Sequence, residues 1–466
     1  MFANIAICAW PLVAIAFYRI FPLGLATMWT ILGAQMLLPV GAAIKFEMIP
    51  AFDKTTVPNL CALIGCLLVA KRPVKFVHSI GLAELFVLMS LIGPFVTSEL
   101  NGDDIFVGDR VLPGVGIYDA ISAMEAAFIS LIPFFLGRQY LKGSLDNLAI
   151  LNVLVTGGLI YSVPMLFEVR FSPQLHFWFY GYYASDFIQS MRDGGFRPMV
   201  FMGHGLITSF FIMTSTVAAA ALWQLRFRRA SVSYGPITSY LGAVLILCKS
   251  LGSTVYAFVL VLLIKFAKPR FQLRIATALV SIALFYPMLR SFDLVPTNEI
   301  LNLASAVSTQ RADSMEFRFV NEDALLKKAS QRLLFGWGRY GRSRVYAGWG
   351  QDVSVTDGRW VITLGTFGLL GFIAEFGLLS LCVFRAAMAF KFAESKADQV
   401  CLAALALIVS VNIFDLLPNS GWFPWSWLLA GALLGRAEAI SALRHRQRAR
   451  AKQPLPRGVP KIAGTL

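Results

Sequence analysis

Long uninterrupted runs of apolar residues dominate the chain, and short polar stretches separate them. Most runs reach the about 17–25 residues that a helix needs to cross a bilayer. Because lipid offers no hydrogen bonds to the backbone, such runs must be helical, and they lack the alternation typical of a β-barrel. The pattern predicts about 12 or 13 membrane helices, at residues 2–18, 21–43, 58–70, 79–97, 118–137, 147–167, 198–224, 235–249, 251–266, 274–290, 360–386, 398–416 and 421–436.

Composition agrees with this pattern, since 57% of the 466 residues are hydrophobic and only 14% are charged. A soluble domain has about a quarter of its residues charged. The sequence therefore predicts an all-α, polytopic membrane helical bundle. We divide it into N-terminal membrane helices (1–290), one long loop (291–359), C-terminal membrane helices (360–436) and a basic, flexible tail (437–466).

The basic residues predict how the bundle is oriented. The net charge of +15 is concentrated in segments that fall on one side of the predicted helices, namely 71–75, 226–229, 265–274 and 444–452. The positive-inside rule places that side, with the C-terminus, in the cytoplasm. The longer loops at 98–117, 168–197 and 291–359 then face the periplasm of a bacterium. Because the charge follows the membrane pattern, we expect contact with membrane lipid and no nucleic-acid partner.

The third loop has internal order in its sequence. Residues 315–334 carry apolar positions at helical spacing, which predicts an amphipathic helix. Gly336, Gly338 and Gly341 then interrupt it within "GWGRYG", and predict a tight turn. This GxGxxG spacing does not follow a strand, so it is not a dinucleotide site. The arginines of the stretch would lie at the outer membrane surface.

Several enzyme classes lack their residues. The chain has no phosphate-binding loop, no HExxH and no GxSxG motif, which argues against nucleotide hydrolysis, zinc proteolysis and serine hydrolysis. The six cysteines lie in or beside apolar runs and show no zinc or disulfide spacing. We therefore expect no metal and no cofactor.

Two groups of candidate residues lie where the middle helices meet the periplasm. "RDGGFRPMVFMGHG" (192–205) places Arg192 and Arg197 at the membrane boundary and His204 about two turns inside the next helix. An ionisable group there is a functional candidate, although interface anchors and a packed histidine would look alike. Lys249, in "CKSLGS" (248–253), opposes the positive-inside trend, and its alternative role is a lysine that snorkels to the interface.

Two more groups lie in or beside the long loop. Arg311 and Arg318 share a face if their segment is helical, and a solvated ion-pair face is the alternative. Asp357 and Arg359 precede the next membrane helix, where a carboxylate is often only a cap. Taken together, the groups place cations around one carboxylate. Arginine forks bind phosphate, and a carboxylate can accept a hydroxyl proton.

These segments resemble the O-antigen ligase and Wzy-type O-antigen polymerase superfamily. "FRFVNEDALLKKASQRLLFGWG" (317–338) and "DGRWVITLGTFGLLG" (357–371) are similar to the two halves of the family's loop motif. "GGFRPMVFMGHG" (194–205) and "CKSLGSTVYAF" (248–258) resemble its earlier basic motifs. Asp357, Gly358 and Thr366 stand where the family usually has His, Asn and Glu.

The resemblance implies a C-type glycosyltransferase-like bundle and a metal-independent glycosyltransferase of the bacterial inner membrane. Its expected donor is an undecaprenyl-pyrophosphate-linked oligosaccharide, with a chain-length regulator and a flippase as further partners. The implied function is a polysaccharide polymerase, with Asp357, Arg318 and Arg311 as catalytic residues. The pyrophosphate would be bound by Arg197, His204, Lys249, Arg339 and Arg359. A ligase onto lipid A core is an alternative within the same class.

Two readings from other classes stay open. A transporter or lipid flippase should carry charges near the membrane midplane and paired broken helices. The charges of this sequence lie mainly at helix ends, which favours the enzyme. The third alternative is a membrane protein that only binds or regulates.

Overall fold

Helices make up most of the structure, a computed structural model that describes residues 2–47, 49–78, 80–192, 194–229, 231–307 and 309–452. The helices are α1 (Phe2–Ile20), α2 (Leu23–Leu37), α3 (Thr56–Ile64, continued as a π-turn over Gly65–Val69), α4 (Leu82–Glu99), α5 (Ile117–Tyr140), α6 (Ser144–Phe171), α7 (Leu175–Tyr180), α8 (Gly205–Gln224), α9 (Tyr234–Leu247), α10 (Leu251–Phe266), α11 (Pro269–Ser291), α12 (Thr297–Val307), α13 (Thr309–Ser330), α14 (Arg359–Ala389), α15 (Lys396–Asp415) and α16 (Pro424–Lys452). Short 3₁₀ turns cover Phe187–Ser190 and Phe390–Phe392.

Among the described residues, four antiparallel hairpins lie in the connections, and they were not predicted from the sequence. They pair β1 (Ala43–Phe46) with β2 (Ile49–Asp53), β3 (Ile105–Val107) with β4 (Arg110–Leu112), β5 (Met191–Arg192) with β6 (Gly195–Phe196), and β7 (Arg228–Arg229) with β8 (Val232–Ser233). Each is two-stranded and short, so the all-α prediction stands.

Within the described residues, eight helices are long and apolar enough to cross a membrane: α1, α4, α5, α6, α8, α11, α14 with its 3₁₀ end, and α15. Shorter apolar helices are α2, α3 with its π-turn, α9 and α10. These helices and α16 coincide with the thirteen predicted segments. The chain therefore has the architecture of a multi-pass helical membrane protein.

Three predicted boundaries were wrong for local reasons. The segment 21–43 stops at Leu37, because Leu38 precedes a proline and takes an extended conformation. The segment 198–224 begins only at Gly205, since Val200 and Gly203 have positive φ angles that a helix excludes. Beyond 436, α16 continues to Lys452 where a flexible tail was expected. Residues 453–466 of that tail lie outside the described residues.

Small residues let α5 and α16 pack closely at the centre of the bundle. A Cβ at Gly431 would lie 2.1 Å from the carbonyl oxygen of Phe134, and one at Gly435 would lie 2.2 Å from that of Arg138. Glycines four residues apart are a common way for membrane helices to bring their backbones together. This contact places Arg138 beside Glu438 of α16, with Arg138 Nη2 at 2.7 Å from Glu438 Oε1.

The connections separate into two ends of the bundle. The basic end contains the ion pairs of Arg138 with Glu84 and Glu438, and of Arg436 with Asp398. The long-loop end contains the connections after α2, α4, α6, α9, α11 and α15, together with the segment that precedes α14. Contacts join these connections to one another, as where Lys54 donates to the Phe201 carbonyl and Arg332 to that of Leu100. The candidate residues lie at this end.

Candidate active site

Arg318 and Asp357 meet at the long-loop end. Arg318 projects from α13, and its Nε lies 3.4 Å from Oδ2 of Asp357, just before α14. Arg318 Nη1 also donates to the Pro418 carbonyl, at 3.0 Å, after α15. The two side chains are 31% and 37% exposed, so a ligand can reach both. The helix-cap alternative fails for Asp357, since Gly358 is the N-cap of α14 and no side chain caps it.

Arg197 and Lys249 join two further connections. Buried Arg197 donates from Nη2 to the Lys249 carbonyl, at 3.2 Å. Lys249 follows α9 with a φ of 53°, and its Nζ donates to the Arg192 carbonyl, at 3.0 Å. This geometry fixes the Lys249 ammonium beside the β5–β6 hairpin, which argues against a side chain that simply snorkels to water.

His204 belongs to the same cluster, but its predicted position two turns inside a helix was wrong. It is the N-cap of α8, where Nδ1 accepts a hydrogen bond from the Leu206 N–H at 3.1 Å. Burial lowers the pKa of His204, and the charges of Arg197, Arg192 and Arg318 lower it further. The ring is therefore neutral at pH 7, with its proton on Nε2.

Arg192, Arg197, His204, Lys249, Arg318 and Asp357 are called the cation cluster below. They come from three connections and one helix that are far apart in sequence. The electrostatic influence of Arg318 on His204 reflects their proximity, although 114 positions separate them in the chain. The cluster can bind an anion through guanidinium, ammonium and imidazole donors, with the Asp357 carboxylate beside Arg318.

Buried polar groups hold the segment that carries Arg197 and His204. Glu168 of α6 is fully buried and accepts hydrogen bonds from the backbone N–H groups of residues 199–200, at 2.8 and 2.7 Å. Lys54 Nζ donates to the Phe201 carbonyl. Sequence analysis missed both groups. An acidic residue at the end of an apolar run was the available signal for Glu168.

Arg359 does not join the cation cluster by its side chain. Its Nε and Nη2 donate to Glu375, at 3.1 and 2.9 Å, and Thr363 Oγ1 donates to the same carboxylate at 2.8 Å. Arg359 and Glu375 both belong to α14 and would be about 24 Å apart along a straight helix. The helix must therefore bend between them, and it does so at Gly368, which has a φ of 66°.

The glycine-rich turn of the long loop fills this break in α14. Trp337 and Gly338 donate their N–H groups to the carbonyls of Gly365 and Thr366, at 2.9 Å each. In return, the N–H groups of residues 369–370 donate to the carbonyls of 333–334, at 2.8 and 3.1 Å. Backbone groups freed by a break inside a membrane helix must find partners within the protein. The predicted turn is confirmed, and its partner is the helix break.

Glu375 is a second acidic residue that sequence analysis missed. The family resemblance directed attention to Thr366, nine positions earlier, where a glutamate was expected. The signal was a lone carboxylate inside the apolar run 360–386, which marks a functional candidate in a membrane helix. The structure shows that this carboxylate neutralises Arg359 across the break.

Arg339 is a second predicted residue that lies outside the cation cluster. Arg339 lies within the glycine-rich turn, and its Nη1 donates to Ser122 Oγ of α5, at 3.2 Å. Arg311 lies in the first turn of α13, and its side chain lies outside the described residues. Among the described residues, no group of three or more His, Cys, Asp or Glu side chains could hold a metal ion.

No family model matches the chain, and no curated protein matches it.

Proposed function

We propose that the protein is a bacterial inner-membrane polysaccharide polymerase. It would transfer a growing glycan from undecaprenyl pyrophosphate to a sugar hydroxyl of another lipid-linked repeat, at the periplasmic face. The observation that carries the proposal is the partly exposed Arg318–Asp357 pair beside Arg197, His204 and Lys249. Cations that surround one accessible carboxylate suit a pyrophosphate leaving group and a hydroxyl nucleophile.

In the proposed reaction, the acceptor oxygen bonds to the anomeric carbon of the donor sugar. The bond from that carbon to the pyrophosphate oxygen breaks, and the pyrophosphate keeps the electron pair. Arg318, Arg197 and Lys249 stabilise the charge that develops there, which is usually a large contribution to catalysis. The acceptor proton passes to Asp357, whose carboxylate becomes available when Arg318 turns to the pyrophosphate. Neutral His204 donates a hydrogen bond from Nε2 to the pyrophosphate.

The test is complementation of a deletion strain, with surface polysaccharide length read on a gel. Wild type should restore long polymer, while Arg318→Ala and Asp357→Asn should leave single lipid-linked repeats. Arg344→Ala is the matched control, because it removes one arginine from the same loop, where Arg344 pairs with Asp352 in an exposed contact. Full rescue by both site variants would refute the site. Full-length glycan retained on the carrier after deletion would indicate a ligase.

A lipid-linked sugar transporter is the second candidate, and the break in α14 favours it. Broken helices and ion pairs inside membrane segments are typical of transporters, and Arg359 pairs with Glu375 across such a break. If this function is correct, deletion should leave lipid-linked repeats on the cytoplasmic face. Labelling of spheroplasts with a lectin that cannot cross the inner membrane distinguishes the two faces.

A further inference from the structure

A cleft at the basic end lies between the start of α11 and the end of α14. Its volume is about 390 Å³, and its lining includes Arg270, Leu273 and Arg274 from α11, and Ala387, Phe390 and Lys391 from the opposite wall. Small-ligand sites usually have volumes of about 300–1,000 Å³. The cleft is remote from the cation cluster, which lies at the opposite end of the bundle.

The cations of the cleft are exposed, and they differ from Arg138 and Arg436, the buried and ion-paired cations of the same end. Arg270 and Arg274 are four residues apart on α11, so they share one face and repel each other. Lys391 adds a third positive charge from the other wall. In the part of the chain that the structure describes, none of the three has a carboxylate within ion-pair distance. An anionic ligand would relieve this repulsion.

Two further features suit a phosphate group with apolar substituents. α11 begins at Pro269, so the positive end of its helix dipole lies beside Arg270. Leu273, Ala387 and Phe390 supply apolar walls next to the cations. Both walls belong to helices that are long and apolar enough to cross a membrane. The cleft therefore lies near the depth at which phospholipid headgroups meet the hydrocarbon layer.

We propose that this cleft binds the phosphodiester headgroup of an anionic glycerophospholipid. Arg270, Arg274 and Lys391 contact the phosphate, and the apolar walls contact the first carbons of the acyl chains. Basic pockets between membrane helices are a recurring way to bind anionic lipid headgroups. The site is independent of the polymerase proposal, because none of its residues belongs to the cation cluster.

The test measures binding of short-chain phosphatidylglycerol to the delipidated full-length protein in neutral detergent. The cleft variant Arg270→Gln/Arg274→Gln/Lys391→Gln should bind it about tenfold or more weakly than wild type, as expected for the loss of three charges near phosphate. The matched control is Arg72→Gln/Lys75→Gln/Arg228→Gln, which removes three exposed charges from the same end. The control should keep wild-type affinity, and phosphatidylcholine should bind weakly to all three proteins.

Two results would overturn the proposal. Wild-type affinity of the cleft variant for phosphatidylglycerol would exclude the cleft. Equal affinity of the wild type for soluble glycerol 3-phosphate would show that the cleft takes free phosphates rather than lipid. A second variant, Arg270→Lys/Arg274→Lys, keeps the charge and should retain binding, which separates loss of the site from loss of folding.

Discussion

The two ends of the bundle use arginine in different ways. At the basic end, Arg138 is only 2% exposed and bridges Glu84 and Glu438, at 2.9 and 2.7 Å, from two other helices. At the long-loop end, Arg318 is 31% exposed, and its nearest carboxylate is at 3.4 Å. Since a buried charge must be neutralised where it lies, Arg138 has no capacity left for a ligand. Arg318 has.

The surroundings of Arg138, which stabilises the fold, differ from those of the cation cluster. Arg138 is surrounded by acidic groups that the fold itself supplies. Arg197 and Lys249 instead donate to the backbone carbonyls of Lys249 and Arg192, respectively. These hydrogen bonds orient the two cations within the cation cluster.

The largest expected effect breaks the basic end. Arg138→Met removes the cation that the largely buried Glu84 and the partly exposed Glu438 share, and we expect a loss of about 3 kcal/mol in stability. Thermal unfolding in detergent measures it. Arg385→Met is the control, because Arg385 is exposed on α14 at the same end and should change stability by less than about 0.5 kcal/mol. Equal stability of the two variants would contradict the structural role of Arg138.

The second prediction concerns the cation cluster. Under the proposed function, Arg318→Ala should lower the rate of polymer synthesis by about 10²–10³-fold, the usual effect of removing one group that stabilises a transition state. Its stability should change by about 1 kcal/mol or less, because the pair with Asp357 is partly exposed. Both quantities are measured on the purified protein with a lipid-linked repeat as substrate.

Arg339→Ala is the matched control for this variant. It removes an arginine from the same long loop, but one that contacts Ser122 rather than the cation cluster. We expect it to keep near wild-type activity. If Arg339→Ala lost as much activity as Arg318→Ala, the contrast between the cluster and the rest of the loop would be wrong.

The third prediction tests the join between the long loop and α14. A Cβ at Gly336 would lie 2.5 Å from the carbonyl of Thr366, and Gly336 has a φ of 72°. Gly336→Ala should therefore cost about 2–3 kcal/mol through strain and backbone displacement. Gly348→Ala meets no atom within 4 Å and should be nearly neutral. The measurement compares the unfolding midpoints of the two variants. Similar midpoints would argue against a stabilising contact between the long loop and α14.

The smallest expected effect is a pH dependence at His204. Burial and then the charges of Arg197, Arg192 and Arg318 hold the pKa of His204 below its ordinary 6.5. A bound pyrophosphate opposes these cations and raises that pKa, so binding takes up a proton. Affinity should therefore strengthen a few-fold as pH falls below about 6.5.

The measurement for His204 compares pyrophosphate affinity of the wild type with that of His204→Gln, from pH 8 to about 5.5. Titration of pyrophosphate itself affects both proteins equally and cancels in the ratio. We expect the ratio to favour the wild type increasingly as pH falls. A ratio that does not change with pH would mean that His204 does not face the anion.

The hydropathy pattern located the helices because it reflects a local requirement, namely that the backbone form its hydrogen bonds within each run. Every apolar run must satisfy its own backbone in lipid, so each run could be identified without knowledge of its neighbours. The amphipathic helix in the long loop and the turn at Gly336–Gly341 also follow from local patterns, and α13 and the positive φ angles confirm them. The predicted helix boundaries near Leu37 and Gly205 were wrong because the backbone conformations of single residues determine where these helices end and begin.

The ion-pair partners could be assigned only from the tertiary structure, because they are distant along the chain. Sequence analysis grouped Asp357 with Arg359, its near neighbour, whereas the structure pairs Asp357 with Arg318 and Arg359 with Glu375. It also separated Arg339 from the cation cluster. The sequence by itself determined which residues are charged and at which end of a helix they lie. Only packing decided which charges face one another, because a bend of α14 at Gly368 reorders contacts that no local pattern records.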